Sequence, residues 1–416
     1  MTAAARGCCN PAEIMNALSD DWVADAPAGP TCTLKDLAAR SGISAATLSR
    51  VLNHPQIVRP DLRARAESVL AQAGYVPHGA ARSLASRRTR TFGAVVPTVD
   101  SALFAKIVEG LQLRGRAEGY QLLVASSGYS PARAASQVRS LVERGVDGVV
   151  LVGAVHAEST IQMLQARGIP FVSTCHHDPR APWPTVGWDN VASAERVADY
   201  LLDIGHRRFA VIAGITADND RAADRVNGFR QAIERRGGLL PAADILQRPY
   251  TVVEGRGAMA ALLRRPTPPT AVLCGNDILA FGALQECLWQ GVDVPGRISV
   301  TGFDDIEMAA HCWPGITTLH VPATAIGERA AGVLLAAIAG EAAGGDDHVN
   351  LELELILRGT TAPPPGARPV ARRAAAPARA VTSAKLAKAA KAVSATKATK
   401  ATKATKATKA TKARRS

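Results

Sequence analysis

Residues 33–53 read TLKDLAARSGISAATLSRVLN, a stretch that predicts two short helices joined by a tight turn. Thr33 precedes an apolar stretch and has Asp36 three residues later. Its hydroxyl and that carboxylate can therefore cap the free amides of a helix that begins at Leu34. Gly42 is suited to end this helix, because glycine adopts the left-handed conformation found after many helices. We expect a four-residue turn to follow.

The second helix is predicted to start after Ser44, whose side chain can serve as an N-cap. Its apolar residues fall at i, i+3 and i+4 spacing and give it one inner face: Leu48, Val51 and Leu52. A third helix is predicted from Pro60, a residue suited to the first helical position, to Gly74. Together these elements predict a three-helix, helix-turn-helix domain.

In such a domain the second helix lies in the DNA major groove, with its first residues against the base edges. Arg50 can make a bidentate contact to guanine, worth about 1–3 kcal/mol of discrimination, whereas Ala45 and Ala46 offer apolar contact to a thymine methyl. Short polar side chains suit phosphates, which position a protein without specifying sequence, and here these are Ser44, Thr47, Ser49 and Asn53. The alternative, a small helical bundle with a solvated polar face, is disfavoured because both caps, the turn and the basic charge agree.

Residues 74–97 read GYVPHGAARSLASRRTRTFGAVVP. Together with residues 33–53 this stretch resembles the lactose and purine repressor family of bacterial transcription factors, and the resemblance continues to about residue 362. It implies a hinge helix that forms only when two subunits meet on an operator. In that helix Leu84 would open the central base step, and Arg82 would also contact the DNA. Gly79 weakens an isolated helix by up to about 1 kcal/mol, so folding of the hinge should depend on DNA and on dimerisation.

The central part of the chain alternates short apolar runs with helical stretches such as 102–118 and 191–202, which predicts parallel sheets with helices on both faces. The apolar runs are 92–96, 121–125, 148–152, 171–174, 209–213, 271–274 and 299–302. Two lobes, near 92–190 and 191–320, with crossovers between them, resemble the sugar-binding proteins of the bacterial periplasm, which close over a ligand. The predicted fold class is thus an all-α helix-turn-helix domain, an α/β two-lobed domain like those periplasmic proteins, and a disordered C-terminal tail.

The same resemblance implies which side chains bind the effector. Asp304 and Asn276 follow predicted strands and would hydrogen-bond it, Arg225 would grip it, Tyr250 would stack on it, and Phe104 would line the cleft from the first lobe. Each has a structural alternative: Asp304 could cap a helix, Phe104 could belong to the core, and Tyr250 could lie on the surface. Asp220 and Arg221 are set aside because their alignment slips by one residue. Cys175 stands where the family has an aspartate, which leaves the ligand chemistry open.

Composition narrows the function classes. The chain has 416 residues, 47% of them apolar, and seven cysteines without metal-ligand spacing. It contains no phosphate-binding loop, nucleophile elbow or zinc-protease motif, and His176-His177-Asp178 is a weak candidate for a metal. We therefore expect a cytoplasmic, nucleoid-associated protein with reduced thiols, no cofactor, no bound metal and no enzymatic activity.

Positive charge is concentrated in two regions. The net charge is +13, but residues 366–416 hold 15 Lys or Arg and no acids, and residues 31–91 hold 10 basic and 3 acidic residues. The final segment includes six ATK triplets, so we expect it to be disordered and to bind phosphates non-specifically. It lacks the leucine heptads of tetrameric family members, which favours a homodimer. The predicted domains are a disordered leader (1–30), the DNA-binding domain (31–76), the hinge (77–90), the effector and dimerisation domain (91–362) and the tail (363–416).

The sequence thus predicts a repressor whose affinity for a two-fold symmetric operator is modulated by a small metabolite bound between the lobes. A sugar or a sugar acid such as gluconate suits an arginine and a carboxylate facing an aromatic ring. Two alternatives remain open: a purine-type regulator that needs a co-repressor, and an architectural protein that coats DNA through its tail.

Overall fold

The computed structural model describes residues 33–75, 88–341 and 347–366. The proposed leader, the hinge with Arg82 and Leu84, and the proposed tail from residue 367 onward lie outside the described residues.

The N-terminal helices pack around one small core. Their bounds are α1 Leu34–Ser41, α2 Ala45–Asn53 and α3 Pro60–Gln72. Thr33 and Asp36 form the predicted capping box, with each side chain accepting from the other residue's backbone N–H at 3.3 and 2.9 Å. Gly42 has φ 67°, the left-handed value that lets it end α1. The core comprises Leu37, Ile43, Leu48, Val51, Ala66 and Leu70.

Two details differ from the sequence prediction. The turn between α1 and α2 has three residues, 42–44, rather than four, because α1 continues through Ser41. A 3-10 turn, Pro55–Ile57, precedes α3 and was not predicted. The predicted starts of all three helices are confirmed.

The α/β part of the chain divides into two compact units. Unit 1 contains residues 88–187 and Ala323–Val349, and unit 2 contains Trp188–Pro322 and the described residues from Asn350 onward. The sequence prediction of lobes near 92–190 and 191–320 with crossovers between them agrees with this division, but it did not locate the return of the chain to unit 1 after residue 322. A local sequence pattern cannot locate such a return, since the returning helix is as apolar as its neighbours.

Unit 1 is built on a six-stranded sheet. Its strands are β1 Thr91–Val96, β2 Gln121–Ser126, β3 Gly148–Val152, β4 Phe171–Thr174, β5 Thr185–Gly187 and β11 His348–Asn350. Their order in the sheet is β11-β5-β4-β3-β1-β2. The pairings from β1 to β5 are parallel. Its helices are α4 Ala102–Ala117, α5 Pro131–Glu143, α6 Glu158–Ala166 and α12 Ala323–Ala339.

Helices α4 and α12 of unit 1 approach each other at the backbone. A Cβ on Gly110 would lie 2.1 Å from the carbonyl oxygen of Thr324, and a Cβ on Gly327 would lie 2.1 Å from that of Ile107. These distances are too short for any side chain, so glycine is required at both positions. The returning segment is consequently an integral part of the unit 1 core.

Unit 2 contains a parallel four-stranded sheet of order β7-β6-β8-β9 and an antiparallel pair, β10-β12. Its strands are β6 Phe209–Gly214, β7 Ile245–Arg248, β8 Ala271–Cys274, β9 Ser299–Thr301, β10 Thr318–His320 and β12 Glu354–Ile356. Its helices are α7 Asn190–Asp203, α8 Asp220–Arg235, α9 Val252–Leu263, α10 Asp277–Trp289 and α11 Glu307–His311.

All seven predicted strands are present, each within one residue of its expected bounds. The strands that the sequence did not predict have three or four residues and only partial apolar content, so no continuous apolar run marks them. Among the described helices, none is both long and apolar enough to cross a bilayer.

Candidate DNA-binding surface and effector site

Helix α2 presents a polar outer face opposite its buried one. Leu48 and Val51 are buried, whereas Ala46 and Arg50 are exposed and Ala45 is half-buried. Arg50 makes no ion pair within the described residues, so its guanidinium is available for another molecule. This arrangement can place one bidentate donor and two methyl groups against base edges.

The short polar side chains of α2 are engaged in local hydrogen bonds. Ser44 Oγ accepts from Thr47 N at 3.1 Å and lies 2.9 Å from Thr47 Oγ1. Asn53 Nδ2 donates to Ser49 O at 2.9 Å. These contacts fix the side chains near both ends of α2, where a fixed hydroxyl or amide can also reach a phosphate. Their predicted roles in DNA binding stay predictions.

In unit 2, Arg225 of α8 is buried next to the carboxyl ends of the strands, with 5% of its surface exposed. Its Nε donates to Asn190 Oδ1 at 3.1 Å and its Nη1 donates to Gly275 O at 2.5 Å. Its Cζ lies 3.9 Å from the centre of the Phe303 ring, which is a cation–π contact. The guanidinium is thereby fixed in orientation, and its Nη2 makes no hydrogen bond with the described residues.

Asp304 follows β9 and is the second charged group of this site. Its φ is 111°, a strained value for a residue with a side chain, and 9% of its surface is exposed. Its Oδ1 has no hydrogen-bond partner among the described residues. Burial raises the pKa of this carboxyl to about 7, although nearby Arg225 acts to lower it. The structure does not place Asp304 as a helix cap, the alternative considered from the sequence.

Asp277 is a buried carboxyl that the sequence prediction did not single out. It accepts hydrogen bonds from Thr318 Oγ1 at 2.6 Å and from Ile306 N at 2.9 Å. Burial raises its pKa, and the charge of Asp304 raises it further. Because both of its oxygens are bonded within the protein, Asp277 holds the loop after β9 in place, and Asp304 remains the carboxyl with an open oxygen.

Asn276 and Tyr250 contact neighbouring protein groups. Asn276 caps α10, since its Oδ1 accepts from Leu279 N at 3.0 Å. Tyr250 packs its ring against Gly214, where a Cβ would come within 2.1 Å of that ring, and its hydroxyl lies 3.5 Å from Asn219 Nδ2. The Oδ1 of Asn219 is buried without a hydrogen-bond partner in the described part of unit 2. Asn219 was missed because an asparagine in a loop carries no specific signal.

The remaining predicted positions are occupied as follows. Phe104 lies in α4 of unit 1 and is buried, with 5% of its surface exposed. The buried Arg221 forms an ion pair at 2.7 Å with the half-buried Asp220. The thiol of Cys175 is buried, and the backbone φ of this residue is 63°. The described residues contain no group of three or more His, Cys, Asp or Glu side chains that could hold a metal, and His176 and His177 belong to none.

The site in unit 2 is therefore suited to holding a ligand. A fixed cation with an unused Nη2 donor needs an acceptor, and the unpartnered oxygens of Asp304 and Asn219 need donors. Buried polar atoms without partners each cost about 1–3 kcal/mol, and a ligand that carries both donors and acceptors recovers part of that cost. A helix-turn-helix domain joined to such a site defines the class of ligand-responsive, DNA-binding transcriptional regulators.

Comparisons with known proteins identify the family. Residues 33–78 match the profile of bacterial regulatory proteins of the lacI family, and residues 198–361 match a periplasmic binding protein-like domain. A second profile, periplasmic binding protein, matches residues 102–248. The chain belongs to the lacI family of bacterial transcriptional regulators.

Individual relatives are similar in sequence to this chain over most of its length. The transcriptional repressor CytR of Escherichia coli K12 is 31% identical over 331 residues, 79% of this chain and 96% of CytR. The transcriptional regulator GntR of Pseudomonas aeruginosa PAO1 is 34% identical over 330 residues, 79% of this chain and 95% of GntR. The solved structure of a transcriptional regulator CelR–cellobiose complex is similar with 29% identity and a TM-score of 0.58, and covers 79% of this chain and 99% of CelR.

Proposed function

We propose that this protein is a cytoplasmic repressor that binds a two-fold symmetric operator as a homodimer and responds to a small effector held in unit 2. Arg50, Ala45 and Ala46 on α2 supply base contacts, and the hinge residues Arg82 and Leu84 extend them into the minor groove. Effector binding changes the affinity for the operator through the coupling between the two sites.

Exposed apolar groups in each unit support a homodimer. In unit 1 the edge strand β2 exposes Leu123 and Val124, and an uncovered apolar edge strand favours association. In unit 2 the side chains of Trp289 and Trp313 are 80% and 88% exposed. Large aromatic side chains are enriched at interfaces, and isologous pairing of both patches matches an operator with two-fold symmetry.

The open carboxylate oxygen of Asp304 beside Arg225 is the observation that carries the effector proposal. A sugar hydroxyl can donate to Asp304 Oδ1, and another can accept from the guanidinium of Arg225. The likeness to a regulator whose structure holds cellobiose supports a sugar. A sugar acid such as gluconate would place its carboxylate against Arg225, provided that Asp304 is protonated, and its raised pKa of about 7 permits this.

A purine is the second candidate ligand. Purine N–H groups could also donate to Asp304, and the half-buried Tyr250 ring offers a surface for stacking. In that case the ligand is a co-repressor that tightens DNA binding, whereas a sugar releases the operator. Phe104 stays a predicted ligand contact in either case, and Asn276 can contribute its amide N–H groups while its oxygen caps α10.

The proposal is tested by finding the operator and then the effector. Purified full-length protein is incubated with sheared genomic DNA at physiological salt, and the retained DNA is sequenced. A two-fold symmetric motif supports the repressor. Diffuse enrichment without a motif contradicts it and favours the architectural alternative, in which the basic C-terminal segment coats DNA.

Binding of gluconate, glucose, cellobiose and hypoxanthine is then measured by calorimetry, and operator affinity is measured with and without each ligand. A typical coupling of 1–3 kcal/mol changes operator affinity by about 5- to 150-fold. Arg225→Ala should abolish this response while operator binding persists, because Arg225 lies outside the DNA-binding domain.

Arg264→Ala, which removes an exposed arginine of the same unit, is the matched control and should leave the response unchanged. Thermal unfolding of both variants shows whether they are folded, since removing Arg225 leaves Asp304 without its nearby cation. A folded Arg225→Ala variant that retains the full response contradicts the proposed site.

A further inference from the structure

A basic surface lies at the amino-terminal ends of the strands of unit 2. Asp304 lies at the opposite, carboxyl-terminal ends. Arg207 and Arg208 directly precede β6, and Arg297 precedes β9 by two residues. The strand register aligns Phe209 with Ala271 and Ala271 with Ser299, so these arginines meet at the amino-terminal ends of the strands. They line a cavity of about 550 Å³ whose other lining residues are Gly205, Pro268, Pro269, Thr270, Pro364, Pro365 and Gly366.

These three arginines lie together without a carboxylate partner among the described residues, unlike several other arginines of unit 2. Arg235, Arg236 and Arg265 form ion pairs with acidic side chains at the surface. In the described part of the chain, Arg207, Arg208 and Arg297 form none, and all three are exposed. Arg207 is nevertheless held in place, since its Nη1 donates to Leu202 O and His206 O at 2.8 and 2.7 Å.

The last described segment of the chain lies at the same ends of the strands. His206 Nε2 lies 2.9 Å from Ala362 O, and Ser299 Oγ accepts from Ala362 N at 3.1 Å, which ties this segment to the sheet. Four residues later Gly366 lines the cavity, and the sequence from there to residue 416 carries 15 Lys or Arg and no acid. That segment cannot neutralise the arginines, because like charges repel. An anionic second molecule is a suitable partner for this surface.

We propose that Arg207, Arg208 and Arg297 form a contact surface for the phosphate backbone of a DNA duplex other than the operator. Guanidinium groups bind phosphates in bidentate fashion, and three of them at one end of a sheet present concentrated positive charge to a duplex. The surface and helix α2 are separate elements of the chain, so one protein can hold the operator and a second duplex together. A duplex bound here does not obstruct effector binding at the carboxyl-terminal ends of the strands.

The test measures binding of the full-length protein to a labelled duplex without an operator at 50–200 mM salt. The triple variant Arg207→Gln, Arg208→Gln, Arg297→Gln is compared with a charge-matched control, Arg139→Gln, Arg167→Gln, Arg329→Gln, whose arginines are exposed in unit 1. Three lost phosphate contacts should lower the slope of log affinity against log salt by about 2.7. The loss of affinity between 50 and 200 mM salt then becomes about 40-fold smaller in the triple variant.

A second readout uses operator DNA fixed on beads and a labelled duplex without an operator in solution. Wild-type protein and the control variant should retain the labelled duplex, whereas the triple variant should retain less of it while its operator occupancy is unchanged. An unchanged salt slope, or an equal fall in the control, overturns the proposal. A change in oligomeric state of the triple variant without DNA, or a stronger preference for polyglutamate than for duplex DNA, identifies another occupant and overturns it as well.

Discussion

Replacing Asp304 with asparagine should stabilise the folded protein above pH 7. Burial raises the pKa of this carboxyl from 3.8 to about 7. Between those values the folded state therefore binds more protons than the unfolded state, and stability falls as the pH rises through this window. At about 1.4 kcal/mol per unit, the ionised carboxylate costs on the order of 4 kcal/mol at pH 8, and asparagine cannot ionise.

The assay is urea unfolding at pH 4, 6 and 8, followed by circular dichroism and tryptophan fluorescence. The stability difference between Asp304→Asn and wild type at pH 8, minus the same difference at pH 4, isolates the ionisation because costs independent of pH cancel. Glu307→Gln removes an exposed carboxylate of the same unit and serves as the control. The reasoning is refuted if the stability difference between Asp304→Asn and wild type is the same at pH 4 and 8. It is also refuted if the stability difference for Glu307→Gln changes as much over this range.

Three further predictions concern separate parts of the molecule. The affinity for a neutral sugar should rise between pH 6 and 8 as Asp304 ionises, whereas the affinity for a sugar acid should fall, and calorimetry distinguishes the two. Arg50→Ala should reduce the preference for guanine at one operator position by about 1–3 kcal/mol, and binding-site selection would instead show an unchanged motif if Arg50 contacts only phosphate. Burial lowers the pKa of His206 to about 4, so as the pH falls the unfolded chain binds a proton at a higher pH than the folded protein does. The stability of the folded protein should therefore fall by up to about 3 kcal/mol between pH 6.5 and 4. Unfolding measured across that range should show a flatter pH dependence for His206→Gln, and an equal dependence would refute the role of His206.

The parts of the fold that the sequence predicts well are those with local causes. The capping box at Thr33 and the cap at Ser44 depend on residues three positions apart, and both are present. The buried strands appear as uninterrupted apolar runs because both faces of a parallel sheet are covered. Three-residue strands such as β5 and β10 owe their conformation to their neighbours in space and leave no such run.

Only part of the effector site was predicted, because its surroundings come from residues distant in the sequence. Resemblance to a family directed attention to Arg225 and Asp304, and the structure brings both to one site. Their surroundings were not predictable, since Asn190 and Phe303 lie 35 and 78 positions from Arg225 in the sequence. Phe303 would ordinarily be assigned to the core, and only the cation above its ring shows a second role. The open oxygen of Asp304 depends on which groups fail to reach it, a property that sequence does not encode locally.

The division of the chain between the two units has a consequence for synthesis on the ribosome. Unit 1 requires Ala323–Val349 and unit 2 requires residues beyond Asn350, so neither can complete its core until most of the chain has been made. The DNA-binding helices are continuous and end at Gln72. At about 5–20 residues per second, translation from there to residue 349 takes roughly 15–55 s. During that interval the nascent chain can carry a finished DNA-binding domain while its effector site is still incomplete.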